Sequence, residues 1–388
     1  CIEHNKENYI NELREAVRIK SVSIDPDLRV EVNRMVFWFE DVLKKTGFKT
    51  EICETGFQDE KSGLKYPPIL LASFKGSAKK RTILFYGHLD VYPAEKSEGW
   101  HTDPFDLIER GDKLYGRGSS DNKGPVLAWI NALNAYRDSE VELPVHIKVI
   151  LEGMEESFSE GFEELCNKKK AFFKDIDYVC ISDGSWIGTS RPCISYGFRG
   201  LCHFRIDVEC AKKHLDSGTY GGVLNEALAD LIYMLGSLTD KDGKILVPGI
   251  YTDVAKLTTT EDDAMKKIDI DLIRYKEGSG IKKLLFKEDK VKILHHLWRF
   301  PSLSYHKIDH INGSKSPLDC VPGKVSGRFS LRIVPNQTTK RVEKLVTDYL
   351  KKKWKEYGSG NDFMVCILAL KIFNYSFFPK CLLSVSYK

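Results

Sequence analysis

The segment TILFYGHLD, residues 82–90, indicates both a fold class and the position of a site. Thr82–Tyr86 forms a nearly continuous apolar run, which is typical of a strand covered on both faces. His88 and Asp90 follow at once, so ionisable groups appear where the strand ends. In open α/β sheets, ligands bind outside the carboxyl ends of the strands. The segment therefore predicts a buried strand that leads into a functional site.

On both sides of this segment, apolar strands alternate with amphipathic helices. Helical spacing of apolar residues is found at Ile10–Val17, Val30–Leu43 and Pro125–Tyr136, and further apolar runs are found at Ile69–Phe74, Val145–Leu151 and Tyr178–Ile181. This alternation predicts an α/β fold, with a doubly wound, largely parallel sheet.

Acidic residues follow these strands, and one precedes a helix. Alone, each is more often a solvated surface carboxylate, and a lone histidine is more often structural. Such groups are costly to bring together at strand ends unless a cation neutralises them, so their joint placement favours a metal site. The residues that we expect to meet at this sheet edge are His88, Asp90, Asp121, Glu155, Glu156 and Asp183.

One imidazole among several carboxylates is a donor set that suits Zn²⁺ or Mn²⁺, and a carboxylate can bridge two ions. Two ions sharing a water would generate hydroxide at neutral pH and polarise a carbonyl group. An adjacent glutamate could then move the proton. The pattern thus favours a hydrolase with two divalent metal ions.

The sequence pattern changes near Ser195. Beyond it, strands with alternating polar and apolar residues at His203–Cys210 and Val325–Val334 flank a charged, variable stretch that reaches about Lys290. This pattern predicts a second α+β domain, inserted after most of the first sheet is built. We expect a metal-binding catalytic domain at 1–195, incomplete at its C-terminal side, a second domain at 196–360, and an apolar tail at 361–388.

Composition limits the partners and the compartment. The net charge is +4, from 59 basic and 55 acidic residues, so no strongly basic field favours nucleic acid. Ten scattered cysteines favour reduced thiols in a cytoplasmic protein. Asn-X-Ser/Thr triplets at Asn312, Asn336 and Asn374 leave a secreted form open. Charged residues and a proline interrupt the most apolar stretch, 363–387, so no membrane span is expected.

Three segments together resemble the M20 metallopeptidase family: GHLDV at 87–91, GRGSSDNKG at 116–124 and EGMEES at 152–157. Within that family, the chain is most similar to the cytosolic non-specific dipeptidase and carnosine dipeptidase group, from about residue 8 to residue 365. The resemblance implies a ferredoxin-like lid and dimerisation domain, a dipeptide or short-peptide substrate, and a homodimer.

The resemblance also implies residue roles. The metal ligands would be His88, Asp121, Glu156 and Asp183, with Asp121 bridging the two ions. Glu155 would be the general base, and Asp90 would orient the His88 ring through its second nitrogen. Arg332 would bind the substrate carboxylate in a bidentate manner, although a strand-surface arginine in an ion pair is an equal alternative.

The second domain departs from the family pattern at two places. The family motif Asp-Leu-His-Ser-Gly, whose histidine reaches the partner's active site, is replaced here by HLDSG at 214–218. Asp216 thus stands in place of the histidine, and an ionised carboxylate cannot donate a proton and would repel a substrate carboxylate. His214 lies on the same face if this segment is a strand, so we hypothesise that it substitutes. Asp319 adds a negative charge where the family carries a small hydroxyl residue.

The likeness stops near Val365, and no histidine follows His310 in the sequence. The last metal-binding histidine of the family is therefore not expected here, and Cys366–Lys388 is expected to be an unrelated apolar tail. This predicts a poorly soluble form that binds one metal weakly or two incompletely. Two alternatives to the dipeptidase are a hydrolase of N-acyl amino acids and a truncated, dimer-forming relative with impaired catalysis.

Overall fold

The computed structural model describes residues 2–76, 80–184, 194–195, 197–310, 319–371 and 382–385. They form two compact units. The first unit contains the described residues up to 195 together with 382–385, and the second contains those from 197 to 371. Within these ranges, no helix is both long enough and apolar enough to cross a membrane.

The strands are numbered along the chain. They are β1 (Lys49–Cys53), β2 (Phe57–Asp59), β3 (Leu64–Lys65), β4 (Ile69–Phe74), β5 (Thr82–His88), β6 (Ile108–Arg110), β7 (Lys113–Tyr115), β8 (His146–Glu152), β9 (Tyr178–Ile181), β10 (Ile194–Ser195), β11 (Gly200–Glu209), β12 (Leu215–Asp216), β13 (Ser302–His310), β14 (Cys320–Val321), β15 (Lys324–Ile333), β16 (Asp362–Lys371) and β17 (Leu382–Val385).

The helices are numbered in the same way. They are α1 (Lys6–Arg18), α2 (Arg29–Lys45), α3 (Lys123–Asp138), α4 (Phe162–Lys168), α5 (Lys170–Phe173), α6 (Ser217–Tyr220), α7 (Ala227–Gly236), α8 (Thr259–Lys267), α9 (Leu272–Ser279), α10 (Lys290–Trp298) and α11 (Thr339–Tyr357).

The first unit is built on a seven-stranded sheet in the order β1-β4-β8-β5-β9-β17-β10. The central strands β8, β5, β9 and β17 are parallel, whereas β1–β4, β4–β8 and β17–β10 are antiparallel pairs. The α/β class is confirmed, but the sheet is mixed rather than largely parallel. The reason lies in the connections: the short link 75–81 joins the end of β4 to the start of β5, and β8 lies between these two strands in the sheet. A parallel arrangement would need a long crossover, so β4 runs opposite to β5 and β8.

Strand β5 is covered on both faces, as its apolar run predicts. On one face, Phe85 belongs to a buried cluster that includes Phe39 and Leu127 from α2 and α3. On the other face, Leu84 packs in a cluster with Leu165 of α4. Burial on both faces stabilises the strand and holds its carboxyl end in a fixed place.

The second unit has an antiparallel sheet in the order β13-β15-β11-β16. Helix α7 follows β11 and helix α11 follows β15, so the main elements run β-α-β-β-α-β, as in ferredoxin-like folds. Phe204 and Phe329 of the sheet are buried with Leu231 of α7 and Val346 of α11. The expected α+β architecture of this unit is therefore present.

The expectation of an apolar tail at 361–388 is wrong for the residues that the structure describes. Strand β16 pairs with β11 in the second unit, and β17 lies between β9 and β10 in the first. In β16, Phe363 stacks on Trp354 at 4.5 Å between ring centroids, whereas Met364 is exposed. That alternation is a strand signal, and the end of the family likeness at Val365 concealed it.

Candidate metal centre

His88 is the last residue of β5, and the glycine before it makes room for the site. A Cβ on Gly87 would lie 2.5 Å from Val126 Cγ2 and 3.0 Å from Asn122 Oδ1, so only glycine lets the start of α3 pack so close. The His88 ring is 1% exposed. Its Nε2 lies 3.0 Å from Asp121 Oδ1 and 3.5 Å from Asp183 Oδ1.

Asp90 is fully buried behind this ring and connects two strand ends. Its Oδ1 accepts a hydrogen bond from the backbone N–H of Glu155 at 3.1 Å, and its Oδ2 accepts one from Glu156 at 3.0 Å. Asp90 Oδ1 also lies 3.4 Å from His88 Nδ1. The backbone carbonyl of Asp90 lies closer to His88 Nδ1, at 3.1 Å. Asp90 therefore holds the imidazole through its carbonyl and its carboxylate, and it holds the short helical turn Glu155–Ser157 that follows β8 through its carboxylate.

Five of the six residues expected at this sheet edge meet in two overlapping groups, and the sixth, Asp90, lies behind them. His88, Asp121 and Asp183 form one group, and His88, Glu155 and Glu156 form the other. Within each group, the potential ligand atoms all lie within 4.8 Å of one another. An imidazole with carboxylates at this spacing is a donor set that fits Zn²⁺ or Mn²⁺.

The charges in this cluster are not balanced by the protein itself. Burial raises the pKa of Glu156 to about 8, and the carboxylates around it raise it too, although His88 opposes them. Burial lowers the pKa of His88, but hydrogen bonds to Asp121, Asp183 and Asp90 bring it well above its ordinary value. The hydrogen bond to His88 lowers the pKa of Asp121. The cluster thus retains protons that a divalent cation would displace.

Two buried residues next to Asp121 escaped the sequence reasoning. The Asn122 Nδ2 group donates to the Ser182 carbonyl at 2.6 Å and to Asp183 Oδ1 at 3.1 Å. Lys123 is fully buried, and its Nζ donates to the carbonyls of Ala16 at 3.0 Å and Ile19 at 2.7 Å. Burial lowers the pKa of Lys123 to about 7. The sequence feature that could have identified both residues is their position in the segment 116–124, directly after Asp121.

A third residue, Glu152, was quoted in the sequence motif without a role. It is the last residue of β8, is 1% exposed, and accepts a hydrogen bond from the Tyr86 hydroxyl at 2.6 Å. Burial raises the pKa of Glu152 to about 7. This carboxyl group lies beside the strand end that carries Glu155 and Glu156, and it is held by a phenol rather than by a cation.

The remaining candidate residues belong to the second unit. Asp216 is exposed and caps α6, since its Oδ1 accepts from both the backbone N–H and the hydroxyl of Thr219 at 2.8 Å. His214 is half-buried just before β12. Arg332 lies on β15 with its side chain exposed, and Asp319 is exposed just before β14. The structure thus gives Asp216 a capping role, while the other roles expected for this unit stay predictions.

A mixed α/β unit whose strand ends gather one imidazole with several carboxylates is an arrangement that suits a metal-dependent hydrolase. The model of peptidase family M20/M25/M40 matches residues 84–371 of this chain. The chain belongs to this family, which confirms the resemblance found in its motifs.

Two similar proteins are dipeptidases, and this chain covers about three quarters of the length of each. Beta-Ala-His dipeptidase of Homo sapiens is 44% identical over 369 residues, which is 94% of this chain and 73% of that protein. Cys-Gly metallodipeptidase DUG1 of Candida albicans is 41% identical over 371 residues, which is 94% of this chain and 76% of that protein. The expected likeness to the dipeptidase group is thereby confirmed.

Solved structures agree with these sequence matches. Human carnosine dipeptidase 1 has a TM-score of 0.88 at 42% identity, covering 100% of this chain and 80% of that one. The dipeptidase Dug1p from Saccharomyces cerevisiae has a TM-score of 0.87 at 36% identity, covering 97% and 81%. The fold of the described residues is therefore that of these enzymes.

Proposed function

We propose that this chain hydrolyses dipeptides or short peptides with two bound divalent cations, Zn²⁺ or Mn²⁺. The observation that carries the proposal is the convergence of His88, Asp121 and Asp183, whose ligand atoms lie within 4.8 Å of one another at the end of β5. The printed names of the relatives, Beta-Ala-His dipeptidase and Cys-Gly metallodipeptidase, support the substrate class.

In this proposal, His88 and Asp183 would hold one cation, Glu156 would contribute to holding the second, and Asp121 would contribute to both. Such cations, when bound, lower the pKa of water and polarise a carbonyl oxygen. Asp90 keeps the His88 Nε2 directed at Asp121 through its contact with the opposite ring nitrogen, 3.4 Å away. The protein thus supplies a fixed ligand set before substrate arrives.

Glu155 is the proposed general base. It takes a proton from water as the water oxygen attacks the peptide carbonyl carbon, and it gives a proton to the leaving amine as the C–N bond breaks. Its backbone N–H is held by Asp90, so the position of its side chain is tied to that of His88. Glu156, the next residue, shares the same support through Asp90 Oδ2.

The second unit is proposed to supply substrate recognition and a homodimer contact. Arg332 would bind the carboxylate of the substrate, because a guanidinium group matches a carboxylate in a bidentate manner. His214 is the proposed proton donor in place of the residue at 216. A cytoplasmic location is supported by seven free cysteine thiols among the described residues.

The test is hydrolysis by the metal-loaded protein of β-Ala-His, Cys-Gly and a panel of N-acyl amino acids. We expect turnover of a dipeptide that a chelator abolishes and Zn²⁺ or Mn²⁺ restores. Glu155→Gln should lower turnover by about 10²–10⁴-fold while the cations still bind, and the exposed Glu163→Gln on α4 is the matched control. Turnover of acyl amino acids alone, or a folded, metal-loaded chain without turnover, would contradict the dipeptidase proposal.

A further inference from the structure

Asn122 joins two parts of the metal centre that lie far apart in the sequence. It follows Asp121, precedes the first residue of α3, and is 1% exposed. Its side-chain amide donates to the Ser182 carbonyl at 2.6 Å and to Asp183 Oδ1 at 3.1 Å. The backbone of Asn122 therefore carries one of the clustered carboxylates while its side chain holds another.

The place of this amide is fixed from several sides. The missing side chain of Gly87 leaves room for Asn122 Oδ1, which a Cβ there would approach to 3.0 Å. Trp129 lies seven residues further along the same helix, and its Nε1 donates to Ser182 Oγ at 2.6 Å. The Trp129 ring packs against Phe85 of β5 at 3.9 Å between ring centroids. The end of β9 is thus held by α3 at two points.

We infer that Asn122 is a positioning residue of the metal centre: its amide N–H fixes the Asp183 carboxylate so that Asp183, Asp121 and His88 face one cation. Asp183 Oδ1, which accepts this hydrogen bond, is the oxygen that lies 3.5 Å from His88 Nε2. A carboxylate oxygen has a second lone pair, so it can accept from the amide and still bind a metal. The inference rests on the proposed function.

The chemistry of this position favours a neutral donor. A lysine or arginine could orient Asp183 as well, but its charge would compete with the divalent cation. A carboxylate would add a further negative charge beside Asp121 and Asp183 and could not donate. An amide donates without either effect, and such partners of metal ligands are typically worth about 10–100-fold in metal affinity or activity.

The test compares two asparagines on one helix. Asn131 is also buried on α3, at 9% exposure, but its side chain interacts with Glu12 rather than with the metal centre. We expect Asn122→Ser to weaken Zn²⁺ binding to the metal-free protein by about 10–100-fold in a chelator competition, and Asn131→Ser to leave it within about threefold. Equal affinity for wild type and Asn122→Ser, or equal losses in both variants, would overturn the inference.

A second variant keeps the test decisive if the serine variant does not fold. Asn122 Oδ1 is buried and accepts no hydrogen bond from the described residues, so Asn122→Leu, whose side chain has the same branched shape, removes the donor without creating a cavity. We expect it to fold and to show the same loss of Zn²⁺ affinity, and wild-type affinity in it would overturn the inference. If wild type itself binds no Zn²⁺, the proposed function fails, whereas a binding wild type with unaffected variants refutes only the role of Asn122.

Discussion

Replacing Asp90 with asparagine removes one hydrogen-bond acceptor from the support of the metal centre. In the native protein, each carboxylate oxygen of Asp90 accepts a backbone N–H, from Glu155 and from Glu156. The amide of an asparagine can accept only one of them, so the other N–H meets an NH₂ group in a fully buried place. The contact with His88 Nδ1 loses its charge as well.

The expected magnitude follows from those contacts. Loss of one hydrogen bond to a charged group costs about 1.5–3 kcal/mol, and disturbed orientation of the ring and of the glutamate turn should lower metal affinity by about 10–100-fold. We would measure the Zn²⁺ dissociation constant by chelator competition and the urea midpoint of the metal-free protein. The dissociation constant should rise and the urea midpoint should fall in the same variant, since one side chain supports both properties.

The matched control for this substitution is Asp207→Asn in the second unit. Asp207 is also a buried carboxylate, and it accepts hydrogen bonds from Ser326 and Arg205. This variant should lose stability without any change in Zn²⁺ affinity. Metal affinity within about threefold of wild type in Asp90→Asn, or an equal loss in both variants, would refute the role given to Asp90.

Three further predictions concern other buried or substituted groups. The pKa of Glu152 is raised from 4.5 to about 7, so the free energy of unfolding should fall by about 3 kcal/mol as the pH rises through that interval. Glu152→Gln should remove this dependence, as measured by urea unfolding at pH 4.5 and 7.5. An unchanged pH profile in the variant would contradict the prediction. The pKa of Lys123 is lowered from 10.5 to about 7, so the stability of the fold should rise as the pH rises between those two values. In Lys123→Met, the midpoint of thermal unfolding should therefore depend less on pH between pH 7 and 9. Exchanging Asp216 and His214 in a double variant, His214→Asp with Asp216→His, should raise dipeptide turnover about tenfold or more because it moves the proton donor to the position that it has in the family motif; a soluble, metal-loaded variant without any gain would refute this.

The strand at 82–88 and its polar end could be predicted because both signals are local. An apolar run that stops at a histidine and an aspartate marks a buried strand with a polar end, whatever the rest of the chain does. The same holds for the glutamates after β8 and for Asp183 after β9. Their convergence followed from one rule, that the parallel strands of a sheet present their carboxyl ends at a common edge.

The direction of the outer strands and the fate of the segment after residue 361 depend on non-local pairing. The composition of β4 does not indicate that this strand runs antiparallel to β8, because its direction is set by the short link that joins it to β5. Strand β16 pairs with β11, more than 150 residues earlier in the chain. Such a partner leaves no trace in a local pattern, so the sequence does not show which sheet this strand joins.

The buried polar residues could not be predicted from the sequence either. Asn122 and Lys123 look like ordinary helix-start residues, and only the packing of α3 against the strands and α1 shows that both are buried. Their partners are backbone carbonyls and Asp183, and no sequence motif specifies a backbone acceptor. Residues that support metal ligands in this way can therefore be identified only from the three-dimensional structure.

The most direct test of the metal centre is anomalous diffraction at the zinc edge from crystals of the Zn²⁺-loaded protein. We expect a peak bound by His88 Nε2 and by carboxylate oxygens of Asp121 and Asp183, at about 2.0–2.2 Å from each. A loaded protein whose anomalous peaks all lie away from these three side chains would contradict the assignment.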